Sequence, residues 1–551
     1  MPVVGSFLKG IFFGHIEEEL LFPYPRPRAA EREAISLLVE SLRVESLRMI
    51  DPARIDEEGS IPPEVLAQLR PLGLFGLSIP TRFGGMGLST TSWARVLEEL
   101  ARIDAAVAVT IGTHISLGTQ GLLQFGSEAQ KAAWLPRLAT GEVIAAFALT
   151  EAEAGSDVAA IRCQAEPTPD GGYRLHGTKV NITNGGLADL FTVFARINGI
   201  PGEREGITTF LVPRGPGLTT GKKVSTLGVR GSSTTDVFLD GVKVEPCQLL
   251  GPVGSGFKIA MEILNRSRLA VAAGSVGLCQ AVLDVTVDYT RKRRAFGQPI
   301  GKFGMIQAKL GQMAVDTFVM ESLAYLTTGL IDAGRTDTSM ECAAAKVYAS
   351  ETAWRVVIES LKVAGGAGYL PGLPFERLMR DARANLIFNG TNEILRIYIA
   401  LAGLSGPVEF LRSVSDAVRR PLRSVGLLAD YALAVFNRRW KRDTVSLAHE
   451  RIEELADPLS ELVARLGEVS EDLLRRHGQE IVHCQQLQER LANITIDLYA
   501  SFAALSRTST LLQDGDQERS REALTCTSIF VAQASRRIRA ALAACERNED
   551  V

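Results

Sequence analysis

Apolar positions recur at helical spacing over the first part of the chain. Between Arg32 and Met49, the residues Ile35, Leu38, Val39, Leu42, Val44 and Leu47 fall roughly along one face, which predicts an amphipathic helix. Ile61-Pro62-Pro63 announces a second, with proline near its first turn, running through Leu66 and Leu69 to Leu72. Thr91–Asp104 and His114–Phe125 continue the theme, with the Gly-rich turn Phe83-Gly84-Gly85-Met86-Gly87 among these segments. The period then changes. After Asp170-Gly171-Gly172, the stretch from Tyr173 to Thr183 alternates and is rich in β-formers. Leu190–Arg196, Ile207–Val212 and Asp236–Val244 are further short strand candidates, and so many within about a hundred residues predict a compact β-barrel or sandwich. Helical spacing returns over Phe257–Tyr289, Ile306–Ala333, Met340–Ala364 and Phe375–Leu401, and an Arg- and Leu-rich helical block runs beyond Gly403.

These shifts define a multidomain α+β chain. The expected divisions are an N-terminal α-helical domain at 1–145, a central β-barrel or sandwich at 146–255, a four-helix bundle at 256–405 and an extra C-terminal helical domain at 406–551. A length of 551 residues agrees, since one hydrophobic core rarely grows past ~250–300. Apolar residues at 46% and charged residues at 22% exclude a disordered or fibrous chain. Sixty basic against 63 acidic side chains give no global electrostatic reason to bind nucleic acid. No uninterrupted apolar run reaches the ~18–20 residues that span a bilayer. The apolar N-terminus lacks a basic region and a small-residue cleavage site, so it is expected to belong to the fold. Seven cysteines without a CxxC pair read as reduced thiols, in a cytoplasmic or organelle matrix-like compartment. Six histidines, none in an HxxxH or HExxH arrangement, make no metal site expected.

Three clusters place glycine and hydroxyl residues where a core would be apolar. Phe147-Ala-Leu-Thr-Glu-Ala-Glu-Ala-Gly-Ser-Asp157 offers backbone N–H groups and Ser156 to an anion or a polar cofactor edge. Val180-Asn-Ile-Thr-Asn-Gly-Gly186 could present Thr183, and Asn184-Gly185 is a turn signal. Ala364-Gly-Gly-Ala-Gly-Tyr369, followed by Asp381–Arg396, permits close backbone approach to a phosphate. On residue types alone the first fits a plain surface turn equally well, and an ordinary hairpin turn and a simple helix stop are the commoner explanations of the second and third.

As an ordered set they resemble the acyl-CoA dehydrogenases. The resemblance rests on Ala148-Leu-Thr-Glu with Ala154-Gly-Ser-Asp157, Asn181-Ile-Thr-Asn-Gly-Gly186, Leu227-Gly-Val-Arg-Gly-Ser232, Gly254-Ser-Gly-Phe-Lys258 and Arg293-Arg-Ala-Phe-Gly-Gln298. Gly365-Gly-Ala-Gly-Tyr369, Met379-Arg-Asp-Ala-Arg383 and Gly390-Thr-Asn-Glu-Ile-Leu-Arg396 complete it, and it covers roughly residues 6–405. Phe7-Leu-Lys-Gly10, Pro23-Tyr-Pro25 and the tail past Leu404 are similar to the very-long-chain subgroup. The resemblance implies FAD and an acyl-CoA substrate, with a glutamate removing the α-proton while the β-hydrogen leaves as hydride to flavin N5. It implies cofactor contacts at Phe147, Leu149, Thr150, Ser156, Asn181, Thr183, Arg293, Phe296, Lys362, Gly365, Gly366, Thr391 and Glu393. Substrate contacts are implied at Ser156, Asn265, Arg268 and Gly390. It further implies a homodimer, and electron-transfer flavoprotein as partner when the site turns over.

The sequence departs from the family at the chemistry. The glutamate that usually precedes the Gly-Thr pair is Asn389, and the alternative position on the helix containing Leu264–Ala273 is Ser267. Neither side chain is a base near neutral pH. The usual tryptophan before Ile182-Thr183 is Asn181, which removes an aromatic face, and the usual glutamine before the glycine turn is Lys362. Three readings follow: a dehydrogenase with another base, a catalytically impaired FAD- and acyl-CoA-binding scaffold or sensor, or different flavin chemistry, such as a narrow-substrate oxidase of small nitroalkanes or amines. In the tail, Leu422, Val425, Leu428, Ala432, Val435 and Phe436 form a stripe flanked by Arg and Lys over 419–442. That pattern suits either peripheral contact with an anionic membrane or docking on protein.

Overall fold

The computed structural model describes residues 5–197, 206–335, 337–419 and 443–547. The chain divides into two compact units, one made of Pro27–Arg293 with Ala353–Asn389, the other of Met1–Arg26, Arg294–Thr352 and Gly390–Val551. The helices expected at 256–405 are therefore shared between the units.

The first unit contains a mixed sheet of β1 (Ala145–Ala148), β2 (Gln164–Pro167), β3 (Tyr173–Ile182), β4 (Leu190–Arg196), β5 (Ile207–Pro213), β6 (Leu218–Thr220), β7 (Thr235–Val244) and β8 (Leu249–Leu250). The path runs β6-β7-β3-β2-β4-β5-β8, with β1 alongside β4. Leu190-Phe-Thr-Val-Phe-Ala195 is buried throughout, as a strand covered on both faces should be. β3 pairs antiparallel with β7, and two register shifts break its expected alternation, leaving Leu175, Lys179 and Ile182 as its buried positions. The β layer forms where the sequence places it, but the sheet is open. Its end strands, β6 and β8, hold three and two residues, too little backbone to close a ring.

β1 and β2 carry no alternation long enough to announce themselves. β1 is placed by tertiary bonds: it runs parallel to β4, and the Ala145 N–H donates to His114 Nδ1 at 3.0 Å. The other ring nitrogen of the fully buried His114 donates to the Leu138 carbonyl at 3.1 Å. Burial pulls this imidazole down to about 4, so it stays neutral in the tautomer that β1 requires. His114 also marks where the expected helix over His114–Phe125 divides, into a π-helical turn at His114–Gly118 and an α-helix at Gln120–Phe125.

Other helices match their pattern within a few residues: Ala29–Met49, Pro63–Leu69, Thr90–Ile103 and the long Gly256–Lys292. By length and composition, Ala105–Phe125 and Gly256–Lys292 could each cross a membrane, though 78% and 50% of their most apolar windows lie buried within the protein. A further expectation is corrected. Phe375–Leu401 is two helices, Phe375–Ala384 and Asn392–Arg419, separated by a turn. In it Asn389 and Gly390 take φ of 56° and 97°, which a continuing helix cannot accommodate.

The second unit is helical, with Gly304–Asp332, Glu453–His477, Gln485–Gln513 and Gln517–Arg547 among its elements. The N-terminal segment belongs to its core. Phe7, Leu8 and Ile11 are fully buried, Phe7 packs on Tyr499 and Phe502, and Ser6 and the Leu8 N–H both donate to the buried Glu341. The basic amphipathic stretch, beyond Arg419, lies outside the described residues.

A buried neutral histidine makes stability pH-dependent with a definite sign. Between about pH 6.5 and the folded value near 4 the unfolded chain binds the extra proton, so stability falls as pH falls. Urea titrations across that window should show a His114→Gln variant losing a component of up to about 1.4 kcal/mol per pH unit relative to the parent. Identical pH slopes would contradict the neutral, buried assignment.

Candidate functional site

Chain leaving β1 is fixed by one buried ion pair. Lys179 on β3 is fully buried, and its ammonium donates to the Leu149 carbonyl at 3.0 Å and to Glu151 Oε1 at 2.7 Å. The same carboxylate accepts the Arg162 and Cys163 N–H groups. The Val180 N–H donates to the Thr150 carbonyl at 2.9 Å, and Glu151 bridges Ala154. Burial pushes the Glu151 carboxyl upward, but Lys179 and the two N–H donors together hold it below the usual range. Residues 149–154 are thereby held rigid at one end of the sheet.

On that framework lie the first three predicted hydroxyls. Thr150 and Thr183 are half-buried and Ser156 is exposed. Among the described residues their hydroxyls bond to no protein group, so they are available to a ligand. Phe147 stands edge-on to Phe194, with centroids 5.0 Å apart. Phe147 and Leu149 pack against Ile259, Ile263 and Leu264 of the long helix, which joins this end of the sheet to Asn265, Ser267 and Arg268. Asn181 is exposed with φ 55°, at a register shift of β3, and its N–H donates to Asp236. A left-handed bulge suits asparagine, whereas a large aromatic residue there would carry the Cβ strain of that conformation.

A second cluster surrounds Asn389. Its side-chain Nδ2 donates to the Ser267 carbonyl at 3.2 Å, and Arg268 Nε reaches the Asn389 carbonyl at 3.5 Å. Arg268 also donates to Asn265 Oδ1, and Asn385 donates to Ser275 Oγ at 3.2 Å. The Ser267 hydroxyl, fully buried, donates to the Leu264 carbonyl at 2.8 Å. Both positions where a base was sought thus hold neutral side chains bonded to backbone carbonyls.

The helix leading to Asn389 is itself buttressed. Asp381 accepts the N–H of Val229, a β-branched residue at φ 52°. Burial pushes this carboxyl up to about 6. A Cβ on Gly228 would meet the Arg380 carbonyl at 2.2 Å, so only glycine allows the approach. Arg380 forks onto Asp56 at 2.9 and 2.6 Å. These contacts explain the Leu227–Ser232 motif, which sequence reasoning could name but not place.

The remaining predicted positions are exposed or glycine-lined. Arg293 is exposed at the end of the long helix, and Lys362 pairs with Glu359 at 2.6 Å. Gly365 takes φ 61°, and a Cβ on Gly365 or Gly366 would meet nothing within 4 Å, leaving open backbone. Unpaired hydroxyls, bare glycine backbone and a free guanidinium suit the rings and phosphates of FAD. Asn181 supplies no aromatic face.

In the second unit, Phe296 is 94% exposed and Glu393 is exposed, while Thr391 is half-buried. Sequence reasoning missed the network beneath them. The fully buried Lys346 donates to the Gly390 carbonyl at 2.8 Å and to Asn392 Oδ1 at 2.7 Å. Asn392 donates in turn to Ser350 and Glu351, and Arg396 forks onto Glu351 at 2.6 and 2.7 Å. A buried lysine in an amphipathic helix gives no distinguishing pattern; Asn392 lay in a noted motif.

Residues 33–142, 146–242 and 254–404 match family models described as the N-terminal, middle and C-terminal domains of acyl-CoA dehydrogenase. Residues 450–551 match one described as ACAD9/ACADV, C-terminal domain. The chain is 38% identical over 550 residues to the very long-chain specific acyl-CoA dehydrogenase, mitochondrial, of Homo sapiens, covering 98% of this chain and 84% of that one. It is 38% identical over 353 residues to an acyl-CoA dehydrogenase of Bacillus subtilis, covering 64% of this chain and 92% of that one. Among solved structures it is similar to an acyl-CoA dehydrogenase complexed with FAD from Bacillus anthracis (TM-score 0.84, 27% identity, 97% of this chain and 91% of that one). Butyryl-CoA dehydrogenase from Megasphaera elsdenii follows at TM-score 0.66 and 35% identity, with 68% and 98% covered.

The buried pair generates a stability test. Lys179→Met strands the Glu151 carboxylate and should cost ~3–5 kcal/mol, whereas the double variant Lys179→Met/Glu151→Gln should recover part of that loss. Because Glu151 is held low when folded, its contribution exists above the ordinary carboxylate range and disappears as pH falls through the folded value. Chemical unfolding at neutral pH checks the first point; a Lys179→Met variant as stable as the parent would contradict it.

Proposed function

The chain belongs to the acyl-CoA dehydrogenase family, and from that premise we propose that it binds FAD and a long-chain acyl-CoA, with α,β-dehydrogenation held back because position 389 offers no proton acceptor. Bound FAD supplies the hydride acceptor, flavin N5. We assign cofactor contact to Phe147, Leu149, Thr150, Ser156, Asn181, Thr183, Arg293, Phe296, Lys362, Gly365, Gly366, Thr391 and Glu393. Substrate contact is assigned to Ser156, Asn265, Arg268 and Gly390. The backbone N–H at 389 remains able to polarise a thioester oxygen, so binding and activation survive without deprotonation. One observation carries the reading: the Asn389 amide donates to the Ser267 carbonyl, so this side chain serves as a donor where the reaction needs an acceptor.

The same bond favours a second reading, an FAD- and acyl-CoA-binding scaffold or sensor that does not turn over. Electron-transfer flavoprotein is the proposed partner when the site is active. Exposed Phe296 and Met305, at 94% and 80%, support a homodimer. The proposed setting is a reducing cytoplasmic or matrix-like compartment, with 419–442 as a peripheral membrane contact.

Anaerobic addition of long-chain acyl-CoA to the purified flavoprotein should perturb the flavin spectrum at once and bleach it slowly. Asn389→Glu should bleach about 10²–10⁴-fold faster. Parent protein bleaching as fast as the variant would contradict a missing base; a spectrum untouched by any acyl-CoA would contradict the assigned substrate.

A further inference from the structure

We propose that the Asn389–Gly390 peptide is a self-modifying site, at which intramolecular deamidation converts the donor side chain into a carboxylate. In this step the Gly390 nitrogen loses its proton and bonds to Asn389 Cγ. The Cγ–Nδ2 bond breaks, and ammonia departs with that proton. Water then opens the cyclic imide at either carbonyl, leaving aspartate or isoaspartate at 389, with no change of oxidation state.

The chain provides its own contrast, because asparagine precedes glycine at positions 184, 198 and 389. Asn198 lies outside the described residues. Asn184 shares the left-handed conformation, with φ 63° against 56° for Asn389, so backbone region does not separate the two. Their surroundings do. Asn184 is fully buried and its Nδ2 donates to the Thr110 carbonyl at 2.9 Å. Its would-be nucleophile, the Gly185 N–H, already donates to the Ile182 carbonyl at 2.9 Å. Asn389 is only half-buried, so water reaches its amide, and among the described residues the Gly390 N–H donates to no acceptor.

Arg268 adds an electrostatic push. Its Nε faces the Asn389 carbonyl at 3.5 Å, and that carbonyl belongs to the same peptide group as the Gly390 nitrogen. A guanidinium beside the oxygen favours the negative charge that the peptide takes on when the nitrogen is deprotonated. Glycine at 390 leaves that nitrogen unshielded. Once formed, a carboxylate cannot donate to the Ser267 carbonyl, so the bond that holds the side chain is lost. Any gain in turnover rests on the function proposed above; the conversion itself does not.

The test is a time course on folded holoprotein at neutral and mildly alkaline pH, followed by digestion and mass spectrometry of the peptides containing 389 and 184. Conversion at 389 should run several-fold ahead of 184, quicken as pH rises, and slow several-fold in Arg268→Met. Because Arg268→Met could loosen the fold, Asn184 serves as the internal gauge: it must stay intact in that variant. Asn389→Gln should abolish the signal. Equal conversion at both positions, no conversion at 389, or an Arg268→Met protein with Asn184 intact that converts at the parent rate would overturn the proposal. Since the readout is mass, failure here leaves the FAD and acyl-CoA assignment standing, and failure of that assignment leaves this one standing.

Discussion

The Asn389 amide donates to the Ser267 carbonyl at 3.2 Å, and the proposed reading of position 389 depends on that bond. A hydrogen bond of this kind is worth only about 1 kcal/mol net. Its importance lies in direction. An amide nitrogen can satisfy a backbone carbonyl, whereas a carboxylate in the same place would face it acceptor to acceptor. The turn at 385–391 is therefore adapted to a donor, and the long helix carrying Asn265, Ser267 and Arg268 holds it there.

Within each unit, buried charges position the backbone. Lys179 and Glu151 fix the exit of β1, Asp381 holds Val229 in its unusual conformation, and in the other unit Lys346 grips Gly390 and Asn392. Each ionic group costs desolvation, which Lys179, Glu151 and Lys346 offset with two or more hydrogen bonds apiece, whereas Asp381 accepts one from Val229 and its carboxyl stays raised. Such groups fix local backbone geometry more than they add net stability.

Much of the architecture was legible because the signals are plain: β3 follows a turn signal and is rich in β-formers, β4 is apolar but for Thr192 and its last residue Arg196, and the long helices keep their spacing. β1 was not, since four residues of alanine and phenylalanine carry no period, and its strand identity comes from His114 and β4. The interruption at 385–391 was hidden because the flanking pattern suits one continuous helix. The motifs named the family and located Asn389, but the partners of Asn389 come from a helix more than a hundred residues earlier. The loss of an aromatic face at Asn181 was readable; the left-handed bulge that suits asparagine there was not.

The claim that position 389 lacks a proton acceptor is tested most directly by hydrogen exchange at the substrate's α-carbon. Long-chain acyl-CoA incubated with the folded flavoprotein in deuterated buffer, without an electron acceptor, should acquire α-deuterium far more slowly than with Asn389→Glu, by about the factor that separates their bleaching rates. Rapid α-deuteration by the parent protein, with Asn389 confirmed intact by mass, would contradict the account.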